Sequence, residues 1–225
     1  RRPCRSTQQC KFTRHPSLKS SFLCWFAGLL LFVGKPPDRL QLERAVAQLA
    51  HRGPDGRGIY IDGALGLVHQ RLAIVDLSDR SHQPMVDSQT GQALVFNGEI
   101  YNYRELRRQL TERDARFVSS GDTEVLLRGL QSRGDRIIPQ LNGDFAFAFW
   151  DRPAQELILA RDRFGVKPLY FSVDARRIVF ASEIRALLSL GVPAAINPVA
   201  VQSYFALRYV PGPTTLFKNI NKLRP

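Results

Sequence analysis

Residues 22 to 33 read FLCWFAGLLLFV, an uncharged run that ends at Gly34-Lys35-Pro36-Pro37. That length suits a buried strand; a membrane span needs about 20 apolar residues. The period then changes. In LQLERAVAQLA (40–50), Leu42, Val46 and Leu49 fall on one helical face. HRGPDGRG (51–58) holds three Gly, one Pro and one Asp, and predicts a loop. Strand patterns follow in GIYIDG, ALGLVHQRLAIVDL and QALVFNGEIYN. RELRRQLTERD (104–114) predicts a helix, with Leu106 and Leu110 four apart. DTEVLLRGLQSRG (122–134) predicts a second, opening on an Asp-Thr N-cap pair. DFAFAFWDRPAQELILARDRFG is a hairpin turning at Asp151–Gln155, and PLYFSVDARRIVFASE is another. EIRALLSLG (183–191) is a short helix closed by Gly191. From Val192 five prolines punctuate a weak helix (198–208) and an extended segment. Many strands interrupted by a pair of helices predict an α+β or layered α/β chain, not alternating βαβ units.

Charge changes the picture less than its total suggests. The 225 residues carry a formal +12. Six of the basic residues, and no acid, precede Cys24, so the remainder is only +6. Its arginines interleave with acids, as in RELRRQLTERD, which reads as a solvated helix face and excludes a nucleic-acid groove. The three cysteines, Cys4, Cys10 and Cys24, sit in the first tenth of the chain. That distribution fits neither a disulfide framework nor a zinc site, and predicts a reduced, cytoplasmic protein. The basic leader and apolar run also resemble a signal peptide, but no small-x-small cleavage site follows. No membrane segment, metal site or internal repeat is expected.

Four features carry chemistry. Cys24 is a thiol at the head of an apolar strand. In VFNGEIYNY (95–103), Asn97 offers a side-chain NH2, and Gly98 lets a backbone N–H come close. Together they make a candidate oxyanion pair; the alternative is a hairpin turn. Arg71 stands in a strand of Leu, Ala, Ile and Val, a costly place for a guanidinium without a carboxylate, from ligand or protein. Asp122 sits at a helix start, as an N-cap or as a partner for an ammonium. The set fits an α-amino acid whose side-chain carbonyl is attacked. No histidine stands out as a base for Cys24. A free α-amine, with a pKa of about 8, would serve if Cys24 were the first residue.

These residues lie within longer strings: HRGPDGRG, HQRLAIVDLS, QPM (83–85), FNGEIYNYRELR, SGDTEVLL, LNGDFAFAFWD, ARDRFGVKPLYF and FASEIRALL. In order and spacing they resemble the N-terminal glutaminase domain of glutamine-hydrolysing asparagine synthetases, class II glutamine amidotransferases. The resemblance covers most of residues 24–190, and YVPGPTTLFKNINKL is similar to the family's run-in to a synthetase domain. It implies an N-terminal-nucleophile (Ntn) hydrolase fold, an αββα sandwich of two antiparallel sheets flanked by helices. It implies Cys24 as nucleophile, Asn97 and Gly98 as oxyanion donors, and Arg71 as holder of the glutamine α-carboxylate. Leu72, Ala73, Ile74 and Val75 fall on the adjoining glutamine-contacting strand, and Glu99 and Asp122 lie around the substrate amino group. The implied reaction is hydrolysis of L-glutamine to glutamate and ammonia. The family needs no cofactor in this domain; ATP and magnesium belong to the synthetase domain, the expected partner. Homodimerisation stays open.

The resemblance divides the chain into a basic extension (1–23), the amidotransferase domain (24–190) and a linker toward an absent synthetase domain (191–225). Two departures stand out. Trp25 occupies a family glycine position beside the nucleophile, where a bulky side chain would either crowd the site, alter the backbone or be tolerated. And 23 residues precede Cys24, blocking its α-amine. Processing of a propeptide, an artefactual upstream start or a degenerate copy would each account for them; residues 1–21 have no folded character, which favours the artefact. Two alternatives remain: an impaired fragment that binds glutamine without turnover, and the glutaminase domain of another asparagine-synthetase-like amidotransferase.

Overall fold

The computed structural model describes residues 24–53, 56–71 and 82–225. Among these residues ten strands form two antiparallel sheets. Sheet A runs in the order β10 (Asn221–Lys222), β8 (Tyr170–Val173), β9 (Arg177–Ala181), β1 (Trp25–Leu31), β3 (Leu65–Arg71), β2 (Gly56–Asp62). Sheet B runs β4 (Met85–Val86), β5 (Ala93–Ile100), β6 (Gly143–Asp151), β7 (Glu156–Arg161). Helices α1 (Arg39–Leu49) and α4 (Ile184–Ser189) cover sheet A; α2 (Tyr103–Thr111) and α3 (Asp122–Arg133) cover sheet B. A fifth helix, α5, spans Pro198–Leu207.

Three buried clusters fill the three gaps between these four layers. Leu42, Ala45, Val46 and Leu49 of α1 pack on Trp25, Ala27 and Leu29. Leu106, Leu110 and Val125 to Leu127 pack on Phe145, Phe147 and Phe149. Between the sheets lie Phe26, Leu65, Leu67, Ala93, Val95, Ala146, Ala148 and Phe180. β6 therefore reads as an unbroken apolar run because both its faces are buried. Its alternation is one of size: Phe145, Phe147 and Phe149 point to the helices, while Ala146 and Ala148 leave room for Phe26 and Phe180 opposite. The Phe26 and Phe180 rings meet edge-on with centroids 6.5 Å apart. Trp150, whose body is buried between the sheets, donates its indole N–H to Asp62 at 2.9 Å, joining sheet B to sheet A.

Local chemistry sets the element ends. Asp38 caps α1, its carboxylate accepting from Leu40 N–H. Gly191, at φ +82°, follows α4 as expected from the sequence. The Asp-Thr cap expected for α3 is corrected: Gly121 is the N-cap and Asp122 is the first helical residue. The predicted loop 51–58 is shorter than expected, since β2 begins at Gly56. Residues 191–225 contribute α5, the edge strand β10 and Ile220, which joins the core under sheet A. Among the described residues, no helix is long and apolar enough to cross a membrane.

Candidate active site

Along β1, β3 and β5 the side chains facing between the sheets change from apolar to polar at one end. On β3 the order is Leu65, Leu67, His69, Arg71; on β5 it is Ala93, Val95, Asn97, Glu99. On β1 it is Phe26 and then Cys24. β1 and β3 pair with Phe26 opposite His69, and continuing that register sets Cys24 opposite Arg71. The His69 ring also abuts the backbone of Phe96, bringing the polar end of β3 onto β5. Cys24, Arg71, Asn97 and Glu99 are thus gathered at one mouth of the sandwich by strand alternation alone.

Cys24 is partly exposed and reduced. Arg71 is buried to 8% exposure, so it is not the exposed strand-end arginine that the sequence also allowed. Asn97 is fully buried, and neither its amide oxygen nor its amide nitrogen has a partner among the described residues. An unsatisfied buried amide is costly. Asn97-Gly98 is not a hairpin turn: Asn97 lies opposite Ala146 and Gly98 opposite Phe145 in the middle of the β5–β6 ladder.

The backbone of β5 supplies the second donor. In this strand alternate N–H groups point away from β6. Phe96 N–H donates to the Gln83 side chain at 2.6 Å, and Ile100 N–H to the Asp122 carboxylate at 3.0 Å. Gly98 N–H lies between them on the same open edge, without an acceptor among the described residues. Gly98 holds φ +139°, and an added Cβ would stand 2.0 Å from the Asp144 carbonyl oxygen. Only glycine fits there.

Two carboxylates border this edge. Burial, and then the nearby Glu99, push the Asp122 carboxyl above its usual range, against the opposing N–H groups of Ile100 and Thr123. Glu99 is exposed at the end of β5. Lys167, 4% exposed, has its ammonium pKa lowered by burial while Asp144, Asp162 and Glu99 oppose that shift. Leu72, Ala73, Ile74 and Val75 lie outside the described residues. Of the outcomes open for Trp25, crowding of the mouth is not the one seen. Its side chain packs with Ala27 and Leu29 beneath α1, on the face of β1 opposite to Phe26. Residue alternation sends it away from the mouth where Cys24 stands.

Sequence reasoning did not single out His69, Gln83 or Lys167, although all three lie within quoted strings: HQR, QPM and RFGVKP. His69 is fully buried, and burial, helped by Arg71 and His82, lowers its pKa to about 3 against a smaller pull from the Phe96 backbone. The ring is therefore neutral at pH 7. Unfolded, it titrates near 6.5, so between about pH 6.5 and 3 the unfolded chain binds the extra proton, and stability is lost as the pH is lowered through that range. His69→Gln should remove that component. Urea unfolding at pH 7 and pH 5 should show a smaller loss for the variant than for the parent; equal losses would contradict a buried neutral ring.

The match to known proteins now has a geometry to attach to. Residues 23–225 match the glutamine amidotransferase domain. The chain belongs to that family. A Mycobacterium tuberculosis protein provisionally named asparagine synthetase (glutamine-hydrolysing) is 41% identical, over 87% of this chain and 33% of its own length. Asparagine synthetase (glutamine-hydrolysing) 1 of Bacillus subtilis is 34% identical, over 90% of this chain and 32% of its own. The Gibberella zeae amidase chry2 is 37% identical over 82% of this chain and 27% of its own. The chain spans about a third of the curated relatives it matches. Among solved structures, glutamine phosphoribosylpyrophosphate amidotransferase from B. subtilis matches with a TM-score of 0.62 at 24% identity, over 75% of this chain and 44% of that one. The fold of this amidotransferase domain is thus the expected Ntn-hydrolase sandwich.

Proposed function

We propose that this amidotransferase domain hydrolyses L-glutamine to glutamate and ammonia, with Cys24 as nucleophile. The observation that carries the reading is the buried, unpartnered Asn97 amide beside the open-edge N–H of Gly98, at the mouth where Cys24 and Arg71 meet. In a chain that begins at Cys24, the α-amine takes the thiol proton. The thiolate sulfur attacks the glutamine side-chain carbon, and the carbonyl oxygen gathers charge against Asn97 Nδ2–H and Gly98 N–H. The C–N bond breaks, and the α-ammonium returns its proton to the leaving nitrogen as ammonia departs. Water, losing a proton to the amine, then opens the thioester to release glutamate.

Arg71 holds the α-carboxylate. Glu99 and the raised Asp122 carboxyl hold the α-ammonium, whose charge relieves the repulsion between them. The contacts of residues 72–75 with glutamine belong to the same reading. A cytoplasmic, reducing setting suits a free catalytic thiol. By the same reading the ammonia serves asparagine synthesis from aspartate, with ATP and magnesium on a synthetase portion outside residues 1–225. Relatives named as amidases rather than asparagine synthetases make another acceptor the second reading.

The test is equimolar appearance of glutamate and ammonia from glutamine by a chain beginning at Cys24. Calorimetric glutamine binding without turnover would favour the impaired-fragment alternative and contradict this reading. Arg71→Lys should raise KM roughly 10- to 150-fold, the loss of about 1.5–3 kcal/mol for a hydrogen bond to a charged group, with little change in kcat. An unchanged KM would remove Arg71 from the carboxylate site.

A further inference from the structure

β4 pairs with β5 at only two positions, Met85 with Leu94 and Val86 with Ala93. The same register would bring Gln83 opposite Phe96, yet the backbone ladder stops short of it. The Gln83–Pro84 backbone lies instead against Gly58 of β2, where an added Cβ would stand 2.0 Å from the Gln83 carbonyl oxygen. The Gln83 side chain takes over the missing pairing. Its Oε1 accepts Phe96 N–H at 2.6 Å, and the residue is 7% exposed. Gly58 is in turn the register partner of His69, whose fully buried ring approaches the Phe96 backbone from β3, short of full hydrogen-bond geometry.

Phe96 is the residue immediately before Asn97-Gly98. Its N–H is gripped by Gln83, and its carbonyl shares a peptide unit with the Asn97 N–H. One residue pair further on, Ile100 N–H is gripped by Asp122. β6 therefore holds one edge of the Asn97-Gly98 segment, while on the other edge, beyond the reach of β4, side chains of Gln83 and Asp122 stand in for a strand on either side of Gly98 N–H.

We infer that Gln83 and His69 are positioning residues: together they set the height of the Asn97-Gly98 segment, and with it the rate of the step in which negative charge forms on the substrate oxygen. Neither touches substrate. Gln83 supplies an acceptor that the β4 backbone no longer provides. His69, neutral and buried, fills the space beside the Phe96 carbonyl, with a ring N–H available to it. A displacement of the donors by about 1 Å costs up to about 100-fold in rate. The inference rests on the glutaminase reading of the site.

Its test uses Gln83→Met, which keeps the length of the side chain and removes the acceptor, in a chain beginning at Cys24. The expected result is a kcat lowered about 10- to 100-fold, a KM within about twofold of the parent, an unchanged rate of Cys24 alkylation by iodoacetamide, and faster amide hydrogen exchange confined to Phe96–Gly98. An unchanged kcat, or a raised KM at constant kcat, would overturn the inference. Should Gln83→Met fail to fold, His69→Leu carries the same expectations. If the parent chain itself does not turn glutamine over, the glutaminase reading fails, and amide exchange alone judges the clamp: exchange at Phe96–Gly98 no faster than in the parent would overturn it.

Discussion

Cys24→Ala is expected to abolish ammonia release from glutamine, by at least about four orders of magnitude, while glutamine still binds. The expectation follows from the separation of roles across the mouth of the sandwich. Cys24 leads a central strand of sheet A, whereas the carboxylates that would hold the ammonium come from β5 and α3. Removing one sulfur from a partly exposed position leaves the three buried clusters intact, since Cys24 belongs to none of them. The fold should therefore persist, with a melting temperature close to that of the parent. Calorimetry with glutamine reads the binding, and an ammonia assay reads the chemistry. Residual turnover near the parent rate would mean that another group attacks the amide.

Asn97→Ala should lower kcat by about 100- to 1,000-fold, or roughly 2.7–4 kcal/mol on the barrier, with KM little changed. The parent structure already bears the cost of a fully buried amide without partners. Truncation removes that cost along with the donor, so the variant should be at least as stable as the parent to urea. A variant that is less active and more stable is the signature of a residue kept for chemistry. If KM rose and kcat did not fall, Asn97 would be a substrate anchor and the oxyanion would need another donor.

Much of this fold was legible because it is built on apolar patterning. Leu42, Val46 and Leu49 announced α1, and DFAFAFWD announced the first strand of a hairpin, though its burial on both faces is a finding of the structure. Two-residue strands could not be read: β4 and β10 are too short for any period to show. The 3-10 segment Gly134–Gln140 also went unread, with Pro139 inside it. The effect of Trp25 could not be read from its place beside the nucleophile, because adjacent residues of a strand face opposite ways. Only the burial of Phe26 between the sheets fixes which face is which.

The candidate site was legible where a residue's own type carries the chemistry: a thiol, a guanidinium in an apolar strand, an Asn beside a Gly. It was not legible where a residue acts through a distant backbone. Gln83 meets Phe96 across 13 positions, and His69 meets it from a different sheet. In the sequence alone Gln83 precedes a proline and His69 sits in a strand, and neither context predicts a partner. Asp122 shows both sides of this. Its place at a helix start was read correctly to within one residue, but its carboxylate serves the β5 edge through Ile100 N–H, which no local pattern indicates.

The central claim is that Cys24 acts with its own α-amine as base, and one comparison tests it. Glutaminase activity would be measured, with intact mass recorded in parallel, for the 225-residue chain and for a chain whose first residue is Cys24. The account predicts ammonia release from the Cys24 chain and none from protein whose mass retains residues 1–23. Equal activity from both, with the longer mass intact, would contradict it.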